Sequence, residues 1–471
     1  MIKPLASAAL LALALNLSAC STFDFDIGPS GEEAVSTEAA AINAPASWVF
    51  GEQTDGQIAE NWSSVLIDPR LDELITQALV NNPSLRSSAE SIARSEALLR
   101  QSRSNLVPSL SADFSPSAGT VLEGGDFFDT YSGGLSASWE ADLWGGIRAG
   151  ILASGFDLAS TRATFESARQ ALIAAVARSY SLAIETDLQI DLSEQTLRAQ
   201  EETFRIVNVR YELGAASRRE VVLAESDVAS AQDNLVVARS AKTDAIQALQ
   251  ILLGAYPSGE LAIAPDFPTF TQTLGAGTPE ALLNRRPDVL SAEYDVLSAF
   301  QSTRVVTSDT LPILTLNGGI DTASGSIGDI FDPVSVALSL GARLADVLFD
   351  GGLSKARIDA ASATQRQALA DYGQAVLDAY FDVESALNTI SILRERRVFV
   401  QQSADSARET LALAEIQYKE GDIDLIDVLT FRQRSFQADQ TAITLDRQII
   451  EARIALYLAL GGSGFNEAAI N

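Results

Sequence analysis

The chain has 471 residues, with 33 lysines and arginines against 62 aspartates and glutamates and a formal net charge of −29. That balance excludes a polyphosphate partner, which needs clustered basic side chains, so no nucleic acid is expected. There is no histidine, which removes Ser-His-Asp and Cys-His catalysis and His-ligated zinc; with no phosphate-cradling loop or nucleophile elbow either, only a carboxylate-pair hydrolase stays open as an enzyme.

The first residues, MIKPLASAALLALALNLSAC, join a basic start at Lys3 to an apolar run from Leu5 to Leu15 and end in Cys20, the one cysteine of the chain. The run is too short for a ~30 Å hydrocarbon layer and fits a secretory signal over residues 1–19. Leu17-Ser18-Ala19-Cys20 resembles a bacterial lipobox, which implies cleavage before Cys20 and acylation of it. Ser21 follows it, not aspartate, and that implies sorting to the outer membrane. Two or more acyl chains hold a protein stably, at about 0.8 kcal/mol per buried CH₂. Residues 21–47 are small, polar and acidic, and the expectation is an extended, lipidated linker over residues 20–60.

The chain then repeats itself. Pro83 and Pro108 recur as Pro287 and Pro312; "RYELG", ending at Gly214, recurs as "QYKEG", ending at Gly421; and helical runs end at Gly254 and Gly461. Two repeats follow, 61–254 and 279–461, joined by a connector (255–278) and followed by a tail (462–471). Each is expected to hold a first helix (71–104; 279–307), a β-hairpin (107–141; 311–344), a very long helix, a glycine-marked turn and a return helix whose last glycine takes a left-handed conformation.

The hairpins alternate. Leu110, Ala112 and Phe114 are apolar between Ser109, Ser111, Asp113 and Ser115; Tyr131, Leu135, Ala137 and Trp139 alternate with Ser132, Ser136, Ser138 and Glu140. In the second repeat Leu314, Leu316 and Ile320 alternate with Thr315, Asn317 and Asp321, and Val334, Val336, Leu338 and Leu340 with Ser335, Ser339 and Arg343. Such strands suit an outer-membrane barrel, and equally a half-buried soluble sheet; the lipobox favours the membrane. Four strands do not close a barrel, and open edges in lipid leave backbone groups unpaired. Pairing between chains is therefore expected, three copies giving twelve strands. The helices from about Gly150 to Leu213 and Leu353 to Glu420 alternate apolar and charged positions in the manner of a coiled coil.

"NWSSVLIDPRLDELITQALVNNPSL" (61–85), "DLWGG" (142–146), "YELGA" (211–215), "LLNRRPDVLSAE" (282–293) and "YKEGDIDLIDVL" (418–429) stand in order over most of the chain. Together they resemble the TolC-type outer membrane factors, in particular the NodT-like lipoprotein branch. The resemblance implies a mainly α fold with a membrane β-barrel: a homotrimer whose four strands per chain complete a twelve-stranded barrel above a periplasmic tunnel of coiled-coil helices. It implies the exit duct of a tripartite efflux pump, docked through a periplasmic adaptor onto an inner-membrane transporter of the RND type. No cofactor and no metal are implied beyond the acyl chains on Cys20.

On this reading Gly214, Ala215, Gly421 and Asp422 belong to the periplasmic tip turns that contact the adaptor. Asp424 and Asp427 match inward carboxylates of the family and imply acidic rings at a gate, which favour cations. The alternative for both is an ordinary carboxylate capping a helix start. Arg285 and Arg286, before Pro287, are expected to be structural. Two other functions remain open: the duct of a protein or polysaccharide secretion system, and a periplasmic coiled-coil lipoprotein without a pore.

Overall fold

The computed structural model describes residues 30–50, 66–119, 128–270 and 275–462. The signal segment, Cys20, Trp62 and the tail from residue 463 lie outside the described residues. Described elements run in chain order α1 (Gly31–Ala41), β1 (Leu66–Ile67), α2 (Pro69–Asn81), α3 (Pro83–Ser104), β2 (Ser109–Gly119), β3 (Phe128–Ala141), α4 (Gly146–Glu212) and α5 (Arg218–Leu252). There follow β4 (Thr269–Phe270), α6 (Pro279–Leu283), α7 (Pro287–Ser308), β5 (Ile313–Ser324), two short 3₁₀ turns, β6 (Val336–Ala345), α8 (Leu353–Glu420) and α9 (Leu425–Ala459).

Several bounds repeat residue for residue. Helices α3 and α7 each have 22 residues, beginning at Pro83 and Pro287. Helices α5 and α9 each have 35, and α4 and α8 have 67 and 68. Neither long helix contains a proline, so no backbone donor is missing along it. The repeats are nevertheless not the compact units. One unit gathers the described residues up to Ile42 with Ser91–Thr161 and Ser291–Gln374; the other gathers Asn43–Glu90, Arg162–Leu290 and the described residues from Ala375 onward. Each unit takes segments from both repeats, because the hairpins pair with each other: β3 lies against β5.

Three local expectations need correction. The first helix of each repeat is broken, not continuous, because a residue before proline is pushed out of the α region. Asn82 stands at ψ 120 between α2 and α3, and its Oδ1 accepts from Ser84 and Leu85 N–H at 2.9 and 3.0 Å, restarting the helix. In the second repeat α6 ends at Leu283 and α7 starts at Pro287. The acidic linker, expected to be extended, contains α1: Ser30 caps it, Glu32 and Glu33 occupy its first turn, and Val35 is buried. Those acids complement the positive end of the helix dipole. Val334, read as a strand residue, falls in a 3₁₀ turn, and β6 begins at Val336.

In the second unit the core gathers Leu71, Leu74, Ile75 and Ala78 of α2 against Leu172, Val176 and Tyr180 of α4, Leu249 of α5 and Ile450, Ile454 and Tyr457 of α9. Asp68 caps α2, accepting from Arg70 N–H at 2.8 Å, and accepts a hydrogen bond from the Tyr180 hydroxyl at 2.9 Å; Ala264 N–H in turn donates to that hydroxyl at 3.2 Å. Burial pushes the Tyr180 phenol well above its ordinary range, so it stays a donor. Trp48 donates to the Ala276 carbonyl at 3.0 Å, while Val49 and Phe50 N–H donate to the Glu384 carboxylate. This fastens the N-terminal segment in place.

Candidate functional site: a four-stranded sheet and an acidic turn

The four long strands form one antiparallel sheet in the order β2-β3-β5-β6. Its register sorts the alternation into rows. Ala112, Leu135, Ile320 and Leu338 are cross-strand partners, and so are Leu110, Ala137, Gly318 and Leu340. The neighbouring rows are Ser111-Ser136-Gly319-Ser339 and Asp113-Gly134-Asp321-Ala337. Paired residues of an antiparallel sheet share a face, so one face carries an apolar row wherever the other carries a polar one. The apolar face is uncovered: Leu110, Leu338 and Leu340 are 74, 75 and 87 % exposed. No strand pairs with the outer edge of β2 or of β6 among the described residues. None of the described helices is long and apolar enough to cross a membrane.

The two helical turns lie in the second unit and share one backbone. Helix α4 ends where Gly214 takes φ 72, with Gly214 N–H donating to the Tyr211 carbonyl and Ala215 N–H to the Arg210 carbonyl. Helix α8 ends where Gly421 takes φ 89, with Gly421 N–H donating to Tyr418 and Asp422 N–H to Gln417. This left-handed C-terminal motif satisfies carbonyls the helix leaves open. Gly214, Ala215, Gly421 and Asp422 are all exposed. Beneath the turns Val207, Val221, Ala224, Tyr418, Leu425 and Val428 pack into one apolar cluster, with the Arg210 guanidinium 4.9 Å over the Tyr418 ring.

The starts of the return helices differ. Ser217 and Glu220 form a capping box on α5: Glu220 N–H donates to Ser217 Oγ, and Ser217 N–H donates to the Glu220 carboxylate at 2.6 Å. Those bonds hold the Glu220 carboxyl below the usual range. At the same places in the second repeat stand Asp424 and Asp427. Asp424 occupies the N-cap position of α9 but makes no side-chain capping bond, and both carboxylates are exposed. The capping alternative for Asp424 is therefore not what the geometry shows.

Sequence reasoning passed over Arg432, which is buried and fastens the return helix nearby. Its guanidinium donates to the Ala199 carbonyl, Gln200 Oε1 and Thr203 Oγ1, and pairs with Glu415 at 2.7 Å. A single arginine among exposed ones carries no periodic signal of this. Arg286 is the hub of a second buried cluster with Asp288, Asp382 and the Ala459 carbonyl, while Arg285 reaches, among the described residues, only the Gly462 carbonyl, at 3.4 Å. Among the described residues no group of three or more acidic or cysteine side chains is arranged to hold a metal.

The family model of outer membrane efflux proteins matches residues 74–255 and 278–462. The chain belongs to that family. It is similar to the pyoverdine export outer membrane protein OpmQ of Pseudomonas aeruginosa, 28 % identical over 439 residues, 90 % of this chain and 92 % of that protein. It is 27 % identical to the cation efflux system protein CusC of Escherichia coli O6:H1 over 85 % of this chain and 88 % of that one. The solved outer membrane channel CmeC of Campylobacter jejuni superposes with a TM-score of 0.83 over 90 % of this chain and 92 % of that chain, at 20 % identity, which speaks to the fold alone. The chain is thus an outer membrane efflux channel of TolC-like fold that extends into the periplasm, and not an enzyme. Channels of this family work with periplasmic adaptors and inner-membrane pumps.

Proposed function

We propose that this chain is the lipid-anchored, homotrimeric exit duct of a tripartite pump of the RND type, passing small toxic solutes that its transporter selects. The observation that carries the reading is the four-stranded sheet, apolar and exposed on one face and, among the described residues, unpaired at the outer edges of β2 and β6. In lipid each unpaired edge group costs several kcal/mol. Joining β6 of one copy to β2 of the next through three copies removes both edges and gives twelve strands. Acyl chains on Cys20 add a second hold on the bilayer. The relatives named for pyoverdine export and cation efflux support a duct that serves different cargoes.

The gate in this reading is the turn after Gly421. Three copies set Asp424 and Asp427 as rings of like charge, their carboxylates free because neither is spent on a helix cap. A ring of carboxylates at a constriction favours cations. Reconstituted in planar bilayers, the double variant Asp424→Asn, Asp427→Asn is expected to lose much of its cation selectivity and to change its single-channel conductance. Unchanged selectivity and conductance would remove the gate from the proposal. A detergent-solubilised mass of one chain rather than three would remove the duct itself.

A further inference from the structure

Helix α1 begins hard against α7: a Cβ on Gly31 would stand 2.9 Å from Leu297 Cδ2 and 3.3 Å from Phe300 Cγ. Farther along α1, Glu38 meets α8 at Gly373, where an added Cβ would lie 3.0 Å from its carboxylate. The Leu297 and Phe300 contacts lie about 12–17 Å from the sheet-side end of α7 at Ser308, and Gly373 about 30 Å from the sheet-side end of α8 at Leu353. Helix α1 therefore runs away from the sheet, and the chain before Ser30 is left on the sheet side. Those residues, 20–29, lie outside the described ones and read CSTFDFDIGP. Phe23, Phe25 and Ile27 alternate with Asp24 and Asp26, so in an extended segment the apolar side chains share one side and the charges the other.

An uncovered recess of the same unit stands on that side, about 620 Å³ where α3, α4 and α7 meet the sheet. Val107, Leu143, Trp144 and Ile313 around it are 61, 40, 42 and 38 % exposed. Its indoles ask for no partner: Trp139 donates to the Leu106 carbonyl at 3.1 Å and Trp144 to the Pro312 carbonyl at 2.8 Å. Glu140 and Asp309 at the rim disfavour a carboxylate inside. The occupant this lining suits is apolar. Leu297, Phe300, Arg304 and Ser308 are three or four residues apart and share one face of α7, a track that leads from Gly31 to the recess wall at Ser308. Arg304, exposed on that track, makes no hydrogen bond or ion pair among the described residues. The lengths agree as well. Val305 and Ser308 of the wall lie about 8 and 12 Å past Phe300 along α7, and an extended chain sets Ile27, Phe25 and Phe23 about 10, 17 and 24 Å before Ser30.

We propose that the chain's own residues 23–27 dock in this recess, with Phe23, Phe25 and Ile27 on its apolar lining and Asp26 beside the Arg304 guanidinium. The alternation keeps both aspartates out of the recess, away from Glu140 and Asp309. The docked segment covers the apolar patch and ties the α3–β2 and β3–α4 junctions to α7. The inference goes beyond the duct reading and does not depend on acylation of Cys20. Docking of Phe25 leaves Cys20 five residues away, at most about 17 Å, so acyl chains on it would enter lipid at the foot of an embedded sheet.

The test is disulfide trapping in the full-length protein, in isolated outer membranes and again in detergent, with Phe25→Cys paired with Leu143→Cys and linked peptides identified by mass spectrometry. A disulfide between residues 25 and 143 of one chain is expected in both preparations. Adding Phe23→Ser and Ile27→Ser is expected to slow its formation about tenfold, because the remaining apolar anchors are lost. Arg304→Glu is expected to slow it by up to about fivefold, as for an exposed ion pair, and Arg304→Lys to leave it unchanged. Failure to form the disulfide in either preparation overturns the proposal and leaves the recess to lipid. An unchanged rate with Phe23→Ser and Ile27→Ser overturns it too, since a loose tether collides as often without its apolar residues. So does a disulfide that joins two copies, which would seat the segment on a neighbour. The mass of the N-terminal peptide reads acylation separately: a docked segment with a free Cys20 thiol overturns the lipid anchor alone, and an acylated chain without the disulfide overturns the docking alone.

Discussion

The two repeats use the same backbone at equivalent places and fill it with different chemistry. Where the first repeat turns into α3, the Asn82 amide donates to the Leu252 carbonyl at the end of α5, at 2.8 Å. Where the second turns into α7, the Arg286 guanidinium does the same for the Ala459 carbonyl at the end of α9, at 3.3 Å, and adds Asp288 and Asp382. Burial alone lowers the tendency of Arg286 to stay charged, but its two carboxylates outweigh that and hold it protonated. Burial likewise pushes Asp288 up, and Arg286 outweighs it and keeps the carboxyl below its usual range. One repeat thus closes its junction with a neutral amide and the other with an ion cluster. At the turns the pattern recurs: a self-contained capping box at Ser217 and Glu220, and free carboxylates at Asp424 and Asp427. Backbone geometry is shared because helix ends have the same open carbonyls and amides to satisfy. Side chains are free to diverge once some donor reaches them.

The largest difference should come from the glycines under those junctions. Gly254 has φ 67, and a Cβ there would overlap the Asn81 carbonyl; Gly461 has φ 83, and its Cβ would stand 3.0 Å from the Arg285 backbone. Gly254→Ala is expected to cost about 3 kcal/mol and Gly461→Ala about 2, each including about 1–2 for the left-handed backbone. Thermal unfolding in detergent ranks them, and equal costs would mean the closer approach at Asn81 relaxes freely.

Next is the junction itself. Arg286→Ala is expected to cost about 2 kcal/mol, held below the full value for a buried ion cluster because Asp288 and Asp382 are half exposed. Asn82→Ala, which removes a cap and one carbonyl contact, should cost about 1 kcal/mol. Should Arg286→Asn prove as stable as the unaltered protein, the ion cluster contributes nothing beyond the cap and the contrast between repeats is cosmetic.

The smallest effect lies at the tip. Ser217→Ala should lose about 1 kcal/mol, and Asp424→Ser should gain a few tenths to 1 by supplying the missing cap. Hydrogen exchange at the first amides of α5 and α9 reads both locally. A gain from Asp424→Ser accompanied by altered conductance would show that stability at this helix start was given up for a free carboxylate. A loss would show that Asp424 already stabilises α9 through the helix dipole.

Much of this fold was legible in the sequence. The strands announced themselves because period-two alternation sets one face apart, and the left-handed glycines because little else tolerates that conformation at a helix end. The long helices were legible from apolar positions alternating with charged ones up to the glycine-marked turns. Less legible was the break at Asn82: the apolar spacing of Leu71, Leu74, Ile75 and Ala78 runs toward Leu85 and hides the constraint that Pro83 places on its neighbour. Helix α1 was hidden because its composition is that of a linker, and burial of Val35 holds it. At the candidate site, sequence located Asp424 and Asp427, but whether they cap α9 is a matter of side-chain direction that no spacing encodes.

What the sequence determined by itself were the local events: where helices start and stop, which strand residues share a face, and which positions repeat. These depend on backbone sterics and on side-chain periods of 3.6 and 2 within one segment. Only the tertiary structure decided that β3 pairs with β5 so that the repeats interlock, and that Arg286 rather than Arg285 is the buried hub. Those outcomes join residues far apart in the chain, and burial and charge pairing across such distances are fixed by packing, about which a local pattern is silent.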